Sequence, residues 1–323
     1  MVNSVGIVGG GAWGSALALV AARAGRTATV YARDEATRTA INSGGISPTH
    51  LGSVPSPVIA TGDPAEAAAA DIVIMAVPAQ EIRNAATALA ASSRPGQPIV
   101  IAAKGIEVST GKRLSEVIAE VLPEAEATVL SGPSFAADVA KNLPTAVTIA
   151  ASREDLALTL CRALGSATFR PYAETDVIGV ELGGALKNVL AIAAGVVSGR
   201  KLGASAGSAL IARGFAEMRR FAEFFGARPE TLMGLSGLGD TFLTCSSTQS
   251  RNFTVGIAIG AGRPIPNLLA EGMPTANIAR RIADDRGISM PVTSTVAALL
   301  AGSLSVEDAI DSLMSRPLRA EID

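Results

Sequence analysis

Apolar positions follow two different rhythms along the 323-residue chain. In the first half, short runs that are apolar throughout alternate with amphipathic stretches. The runs predict strands at Val5–Val8, Thr27–Tyr31, Ile72–Val77, Ile99–Ala102, Val129–Leu130, Val147–Ala150 and Thr168–Arg170. Between them, apolar residues recur every three to four positions. That period predicts helices at Trp13–Ala24, Ala36–Asn42, Gln80–Ala91, Lys112–Val121, Phe135–Ala140 and Glu154–Leu164, with Ala65–Ala70 as a further short one. Strands separated by helices of this length indicate crossovers on a parallel sheet. Strands that lack a polar face fit such a sheet, because helices cover both of its sides.

Beyond about residue 175 the strand signals nearly vanish. Helices are predicted at Val177–Val197, Ser205–Phe225, Arg251–Ala261, Pro274–Asp284, Val292–Leu300 and Val306–Ser315, separated by Gly and Pro. The stretch Val177–Val197 is apolar enough to suggest a membrane span. Glu181, Lys187 and Asn188 interrupt it, so it reads as a buried helix with embedded polar groups, and no membrane span is expected. No fixed-period repeat is evident.

Composition narrows the chemistry. The chain is 48 % hydrophobic and 17 % charged, so core material is plentiful. Only 3 % is aromatic, so Ala, Val, Leu and Ile must build the core. The net charge of −2 argues against a general electrostatic grip on nucleic acid. The single histidine, His50, cannot supply a His-based zinc site, and Cys161 and Cys245 lie far apart, so no metal site is expected. A Ser-His-Asp triad would lack its G-x-S-x-G elbow. Proton transfer near neutral pH therefore falls to Lys, Asp or Glu. Two cysteines make no disulfide framework, and the N-terminus MVNSVGIVGG has no signal-peptide pattern, so a reduced, cytoplasmic setting is expected.

Residues 4–14, SVGIVGGGAWG, place Gly9, Gly11 and Gly14 in a G-x-G-x-x-G pattern that follows a strand and opens a helix. This is the context that a dinucleotide-binding turn requires: the first glycine for the turn, the second for approach of a pyrophosphate, the third for helix–strand packing. The fold class expected is α/β, a Rossmann-type parallel-sheet domain over 1–180 followed by an all-α domain over 181–323. At the end of the second strand, Arg33 precedes Asp34. A carboxylate here suits the ribose of NAD and an arginine the 2′-phosphate of NADP; Arg33 comes first, which favours NADP over NAD.

Three further segments stand out. Ala103-Lys104-Gly105 and Ser131-Gly132-Pro133-Ser134-Phe135-Ala136 follow strands, where loops border the ligand crevice of a parallel sheet. Lys187 sits in the apolar segment Glu181–Val189. It is either a snorkelling surface lysine or a buried one whose lowered pKa suits acid–base work. Ser250-Arg251-Asn252 opens a helix; Ser250 is a simple N-cap or part of an anion site.

Taken together, these residues resemble the bacterial type of NAD(P)-dependent glycerol-3-phosphate dehydrogenase. The match runs in family order through Gly10–Ala18, Lys104-Gly105, Gly132–Ala136, Glu181–Asn188, Arg213–Met218, Gly237–Asp240, Leu243-Thr244-Cys245, Ser250–Asn252 and Glu271-Gly272. It implies interconversion of dihydroxyacetone phosphate and sn-glycerol 3-phosphate by hydride transfer, for glycerophospholipid synthesis, by a homodimer. It also implies roles: Lys187 as proton acceptor, with Lys104 polarising the substrate oxygen and Asp240 balancing the lysines. Substrate contacts would come from Lys104, Gly132, Ser134, Lys187, Asp240, Ser250, Arg251 and Asn252. Cofactor contacts would come from Gly9, Gly11, Ala12, Trp13, Gly14, Arg33, Lys104, Ala136, Arg251, Leu269 and Glu271.

The resemblance has departures. Ser198 stands where the family has Asp, Ser205 where it has Asn, and Thr241 where it has an aliphatic residue. The two serines open an alternative, a dehydrogenase of a related hydroxyalkyl phosphate. A β-hydroxyacid dehydrogenase is a further alternative: Gly183 and Lys187 fit its Gly-x-x-x-Lys-x-x-x-Asn pattern, but position 191 is Ala. A non-catalytic dinucleotide sensor would need the glycine turn but not the lysines, Asp240 or the Ser250 cluster.

Overall fold

The computed structural model describes residues 2–44 and 58–314; the histidine noted above, His50, lies outside them. Eight strands follow in chain order: β1 (Ser4–Val8), β2 (Thr27–Tyr31), β3 (Val58–Thr61), β4 (Ile72–Met75), β5 (Pro98–Ile101), β6 (Glu126–Ser131), β7 (Thr145–Ala150) and β8 (Phe169–Glu174). Their connections carry α1 (Ala12–Arg23), α2 (Glu35–Asn42), α3 (Pro64–Ala68), α4 (Ile82–Leu89), α5 (Leu114–Val121), α6 (Ala136–Ala140) and α7 (Glu154–Leu164). The strands form one sheet in the order β3-β2-β1-β4-β5-β6-β7-β8. The order reverses beside β1, and the crevice at that switch lies over the glycine turn.

Alternate residues of each central strand feed opposite layers. On β4, Ile72 and Ile74 join α1 and α7 on one face, while Val73 and Met75 join α4 and α5 on the other. Two-sided burial explains why these strands read as continuous apolar runs. The edge strand β3 was absent from the sequence reading. It is four residues long and leaves Ile59 exposed, so it carries little apolar signal.

One expectation is corrected. The sheet is not parallel throughout: β7 pairs with β6 antiparallel, and β8 runs with β7. The cause is the connection over residues 132–144. Its only helix, α6, has five residues and docks on α1, too short to carry the chain back along the sheet. β7 therefore starts beside the end of β6.

After β8 the chain is helical: α8 (Val177–Gly199), α9 (Ala204–Phe224), α10 (Pro229–Met233), a π-helical turn at Leu235–Gly239, α11 (Asp240–Ser246), α12 (Arg251–Gly260), α13 (Gly272–Arg286), α14 (Pro291–Leu300) and α15 (Val306–Met314). Helix α8 is the axis of this half. It is long and apolar enough to cross a membrane, yet its apolar stretch is 89 % buried within the protein. Its neighbours α9, α11, α12 and α13 enclose it.

The tightest of these contacts is the crossing of α8 and α12. Gly195 and Gly199 face Gly256 and Gly260, each pair at a spacing of four on its helix, and the backbones touch directly. A Cβ on Gly256 would overlap the carbonyl oxygen of Ile192, and one on Gly195 that of Phe253. The helix that carries Lys187 is thereby locked to the helix that begins at Arg251.

Two buried glutamates add polar links between elements. Glu181 of α8 accepts from Ser115 at the start of α5, and Glu217 of α9 accepts from the amides of Val292 and Thr293 at the start of α14. Each places a carboxylate on amides that their own helix leaves without acceptors.

Candidate active site

The glycine turn is built as the motif requires. Gly9 has φ +116°, a conformation L side chains rarely adopt, and its amide donates to Tyr31 O at 3.0 Å. A Cβ on Gly14 would overlap Gly9 O, so only glycine fits that contact. Gly11 is different: a Cβ there would meet nothing within 4 Å among the described residues. It is the N-cap of α1 and offers no side chain to the first amides, those of Ala12, Trp13 and Gly14. Free N–H groups, open space and the positive end of the helix dipole together suit a phosphate.

At the far end of this crevice, Arg33 is exposed, with Glu81 at 3.9 Å as a loose partner. Asp34 accepts at one oxygen from both the amide and the hydroxyl of Thr37, at 2.8 and 2.7 Å, as the N-cap of α2. Its side chain is thus engaged by the helix, whereas the Arg33 guanidinium is available.

The second centre is buried. Asp240 follows the π-helical turn, and both its oxygens carry a lysine. Lys187 Nζ donates to Oδ1 at 2.5 Å and Lys104 Nζ to Oδ2 at 2.6 Å. Lys187 also donates to Thr244 Oγ1 at 2.6 Å, and Lys104 to the carbonyl of Gly132 at 3.1 Å. Each ammonium has three N–H groups, so one remains on each for a further acceptor. Gly132, at φ +141°, turns its carbonyl toward Lys104, and that carbonyl also accepts from Ser134 Oγ at 3.0 Å.

The charges explain one another. Burial pushes Lys187 down to about 8; the Asp240 carboxylate opposes this and the Lys104 ammonium adds to it. Burial alone would raise Asp240. The ammonium groups of Lys104 and Lys187, with their hydrogen bonds, outweigh it and hold the carboxyl below its ordinary range. The result is a water-poor site in which one lysine sits near neutrality beside a fixed carboxylate.

A chain of amides supports this pair. Asn188 donates to the carbonyl of Lys104 at 3.3 Å, Asn252 donates to Asn188 Oδ1 at 2.9 Å, and the Gly272 amide donates to Asn252 Oδ1 at 2.9 Å. Beside Gly272, Glu271 accepts from the amide of Ala79, past β4, at 3.0 Å. Burial raises its pKa, against the pull of that amide and of Arg251.

Two family models match the chain: NAD-dependent glycerol-3-phosphate dehydrogenase N-terminus over residues 4–157, and the C-terminus of the same enzyme over 176–311. The chain belongs to the NAD-dependent glycerol-3-phosphate dehydrogenase family. A glycerol-3-phosphate dehydrogenase [NAD(P)+] of Bradyrhizobium sp. (strain ORS 278) is 55 % identical over 99 % of this chain and 98 % of its own. A crystal structure of glycerol-3-phosphate dehydrogenase from Coxiella burnetii superposes with a TM-score of 0.91 at 34 % identity, covering 98 % of this chain and 99 % of that one. The yeast structure, at 22 % identity and a TM-score of 0.83 over 96 % of this chain and 99 % of its own, shares the fold.

Within this glycerol-3-phosphate dehydrogenase framework the expected residues fall into groups. Lys104, Gly132, Lys187 and Asp240 converge, with Ser134 one hydrogen bond behind. Ser250 is buried and caps α12 by accepting from Phe253 N; Asn252 is buried in the amide chain. Arg251 is exposed on the first turn of α12, near enough to Glu271 to act on its charge. Leu269 is exposed before Glu271, and Ala136 opens α6. The departures at Ser198 and Ser205 lie at the end of α8 and the start of α9. Ser198 is eleven residues beyond Lys187, about 16 Å of helix rise, and Ser205 is exposed at the start of α9. Nothing in their placement favours a different phosphate substrate. Thr241 is fully buried, with no hydrogen-bond partner for its hydroxyl among the described residues.

The sequence reading assigned no role to Thr244 or Asn188. Thr244 lies one helical turn from Asp240, and that i, i+4 spacing was the available signal. Asn188 directly follows Lys187, but its partner is Lys104, 84 positions away.

Proposed function

We propose that the chain interconverts dihydroxyacetone phosphate and sn-glycerol 3-phosphate, using NADP in preference to NAD, with Lys187 as proton donor and acceptor. The observation that carries the reading is the convergence of Lys104 and Lys187 on the two oxygens of one buried carboxylate. A group that develops negative charge on oxygen would meet two N–H donors here.

The glycine turn fits a dinucleotide, because its open space at Gly11 and the uncapped amides of α1 ask for an anion. Gly9, Gly11, Ala12, Trp13 and Gly14 would hold the pyrophosphate and Arg33 the 2′-phosphate. Lys104, Ala136, Arg251, Leu269 and Glu271 would face the remainder. When bound, the dinucleotide supplies or accepts the hydride.

 Lys187 then does the proton work. In alcohol oxidation its neutral amine takes the hydroxyl proton; in ketone reduction its ammonium returns one to the forming alkoxide. Asp240 stays ionised throughout and keeps both lysines aimed. Lys104 presents its remaining N–H to the substrate oxygen, and Gly132, Ser134, Ser250, Arg251 and Asn252 border the substrate's phosphate end.

The division of labour follows the fold. We assign residues 1–180 to the dinucleotide and 181–323 to the substrate, with the changeover in the first turns of α8. A homodimer is supported by the exposed, alanine-rich start of α9, where Ala204, Ala206, Ala209 and Ala212 face outward. Sedimentation velocity tests it, and a monomer at micromolar concentration would refute it. A cytoplasmic enzyme that feeds glycerophospholipid synthesis is the setting in keeping with this reaction.

The test follows the absorbance of reduced nicotinamide with dihydroxyacetone phosphate and each cofactor. Lys187→Met should lower kcat by roughly 10²–10⁴-fold while NADPH binding persists. Retained turnover would remove Lys187 from the role. The pH dependence has a definite sign. Oxidation needs neutral Lys187, so its kcat should rise as pH increases through about 8; reduction needs the ammonium, so its kcat should fall above about 8.

A further inference from the structure

Between Lys104 and α5 the chain makes a closed loop. Ile106 and Arg113 form an antiparallel bridge, and Glu107 N donates to Lys112 O at 3.0 Å. Gln80 holds the middle, donating to Ile106 O and accepting from Val108 N, both at 2.9 Å. The two ends of this segment touch α8. At the start, Asn188 donates to Lys104 O. At the end, Glu181 accepts from Ser115 N at 2.8 Å and from Ser115 Oγ at 2.6 Å, with Arg113 at 3.9 Å. Glu181 and Asn188 are seven residues apart, two turns on one face of a helix. Lys187 lies on that same helix.

We propose that Glu181 is a positioning residue: with Asn188 it clamps both ends of the Lys104–Ser115 segment to α8 and so fixes the distance between the two lysines. One rigid helix then sets the position of both ammonium groups around Asp240. The contact is buried, so loss of the Glu181 carboxyl group leaves the Ser115 amide and hydroxyl without acceptors. The proposal rests on the reading of the lysines as the reaction centre.

The groups that matter are few. Lys187 is faced by Asp240, Lys104 and Cys245, and Glu181 by Ser115, Arg113 and Glu116. If Lys104 drifts away, Lys187 loses one cation that holds it down. The experiment compares the full-length wild type with Glu181→Ala, Glu181→Gln and Ser115→Ala. It reads kcat and KM for glycerol 3-phosphate oxidation across pH, with folded sites counted by NADPH fluorescence titration.

Glu181→Ala should lower kcat per folded site by roughly tenfold or more and move the kcat midpoint to higher pH, with little change in NADPH affinity. Glu181→Gln can still accept from Ser115 N and donate to its hydroxyl; it should restore the midpoint and most of the rate. A Glu181→Ala protein that melts earlier but keeps wild-type kcat and midpoint would overturn the proposal. If that variant does not fold, Ser115→Ala removes one clamp bond; it should shift both readouts the same way by less, and unchanged values would be equally fatal. Full activity in Lys187→Met would instead defeat the lysine reading itself and leaves its own distinct signature.

Discussion

The molecule uses missing side chains in two regions, for opposite ends. At the start of α1, Gly11 leaves space that no atom of the described residues fills. At the crossing of α8 and α12, the space beside Gly195 and Gly256 is filled by backbone of the partner helix. The first is open room that suits a ligand; the second is room already used for packing. A glycine's meaning is therefore set by what would meet its Cβ. Gly14 shows this within the turn itself: although it belongs to the ligand motif, its neighbour is Gly9 O, so it behaves like the helix crossing.

Substitutions can break this comparison. Gly256→Ala should have the largest effect, because backbone cannot move aside as a flexible side chain can. Thermal or urea unfolding should show a loss of about 2–4 kcal/mol, with NADPH affinity of the folded fraction unchanged. A protein of wild-type stability would mean that the crossing is looser than described. Gly11→Ala should do the reverse: stability within about 0.5 kcal/mol of wild type, but NADPH and NADH bound roughly tenfold more weakly. Equal loss of stability in both variants would erase the distinction. The smallest effect is expected at the outer end of the crevice. Arg33→Ser should weaken NADPH by about tenfold while NADH changes little, and added salt should narrow that gap. Equal weakening of both cofactors would show that Arg33 does not read the 2′-phosphate.

The same contrast bears on what was legible in the sequence. The Gly9–Gly14 turn is local, so its spacing announced it. The crossing joins residues about sixty positions apart, and its glycines read only as ordinary members of two helices. Lys187 drew attention as a charge in an apolar helix, and Asp240 as part of a family motif. Their meeting depends on a π-helical turn that no apolar period reveals. Ser250 and Asn252 show a further limit: side chains marked as site residues are engaged in capping α12 and in the amide chain. Strand positions were read from apolar runs, but a run carries no direction, which is why the reversal at β7 escaped notice.

That reversal decides where Lys187 can be. Strands β1 to β6 that run parallel end at the crevice, so a chain leaving the last of them there would begin its next helix already at the ligand. Because β7 and β8 run the other way, the chain leaves Glu174, in the row of Val129 and Ile101, heading away from the crevice. Helix α8 then has to bring the chain back toward the crevice. Lys187 is ten residues past Val177, about 15 Å along the helix, alongside the end of β6, where Gly184 lies against Ser131. The two reversed strands thus set where the helix starts, and its third turn brings the Lys187 amine to the carboxylate that Lys104 shares.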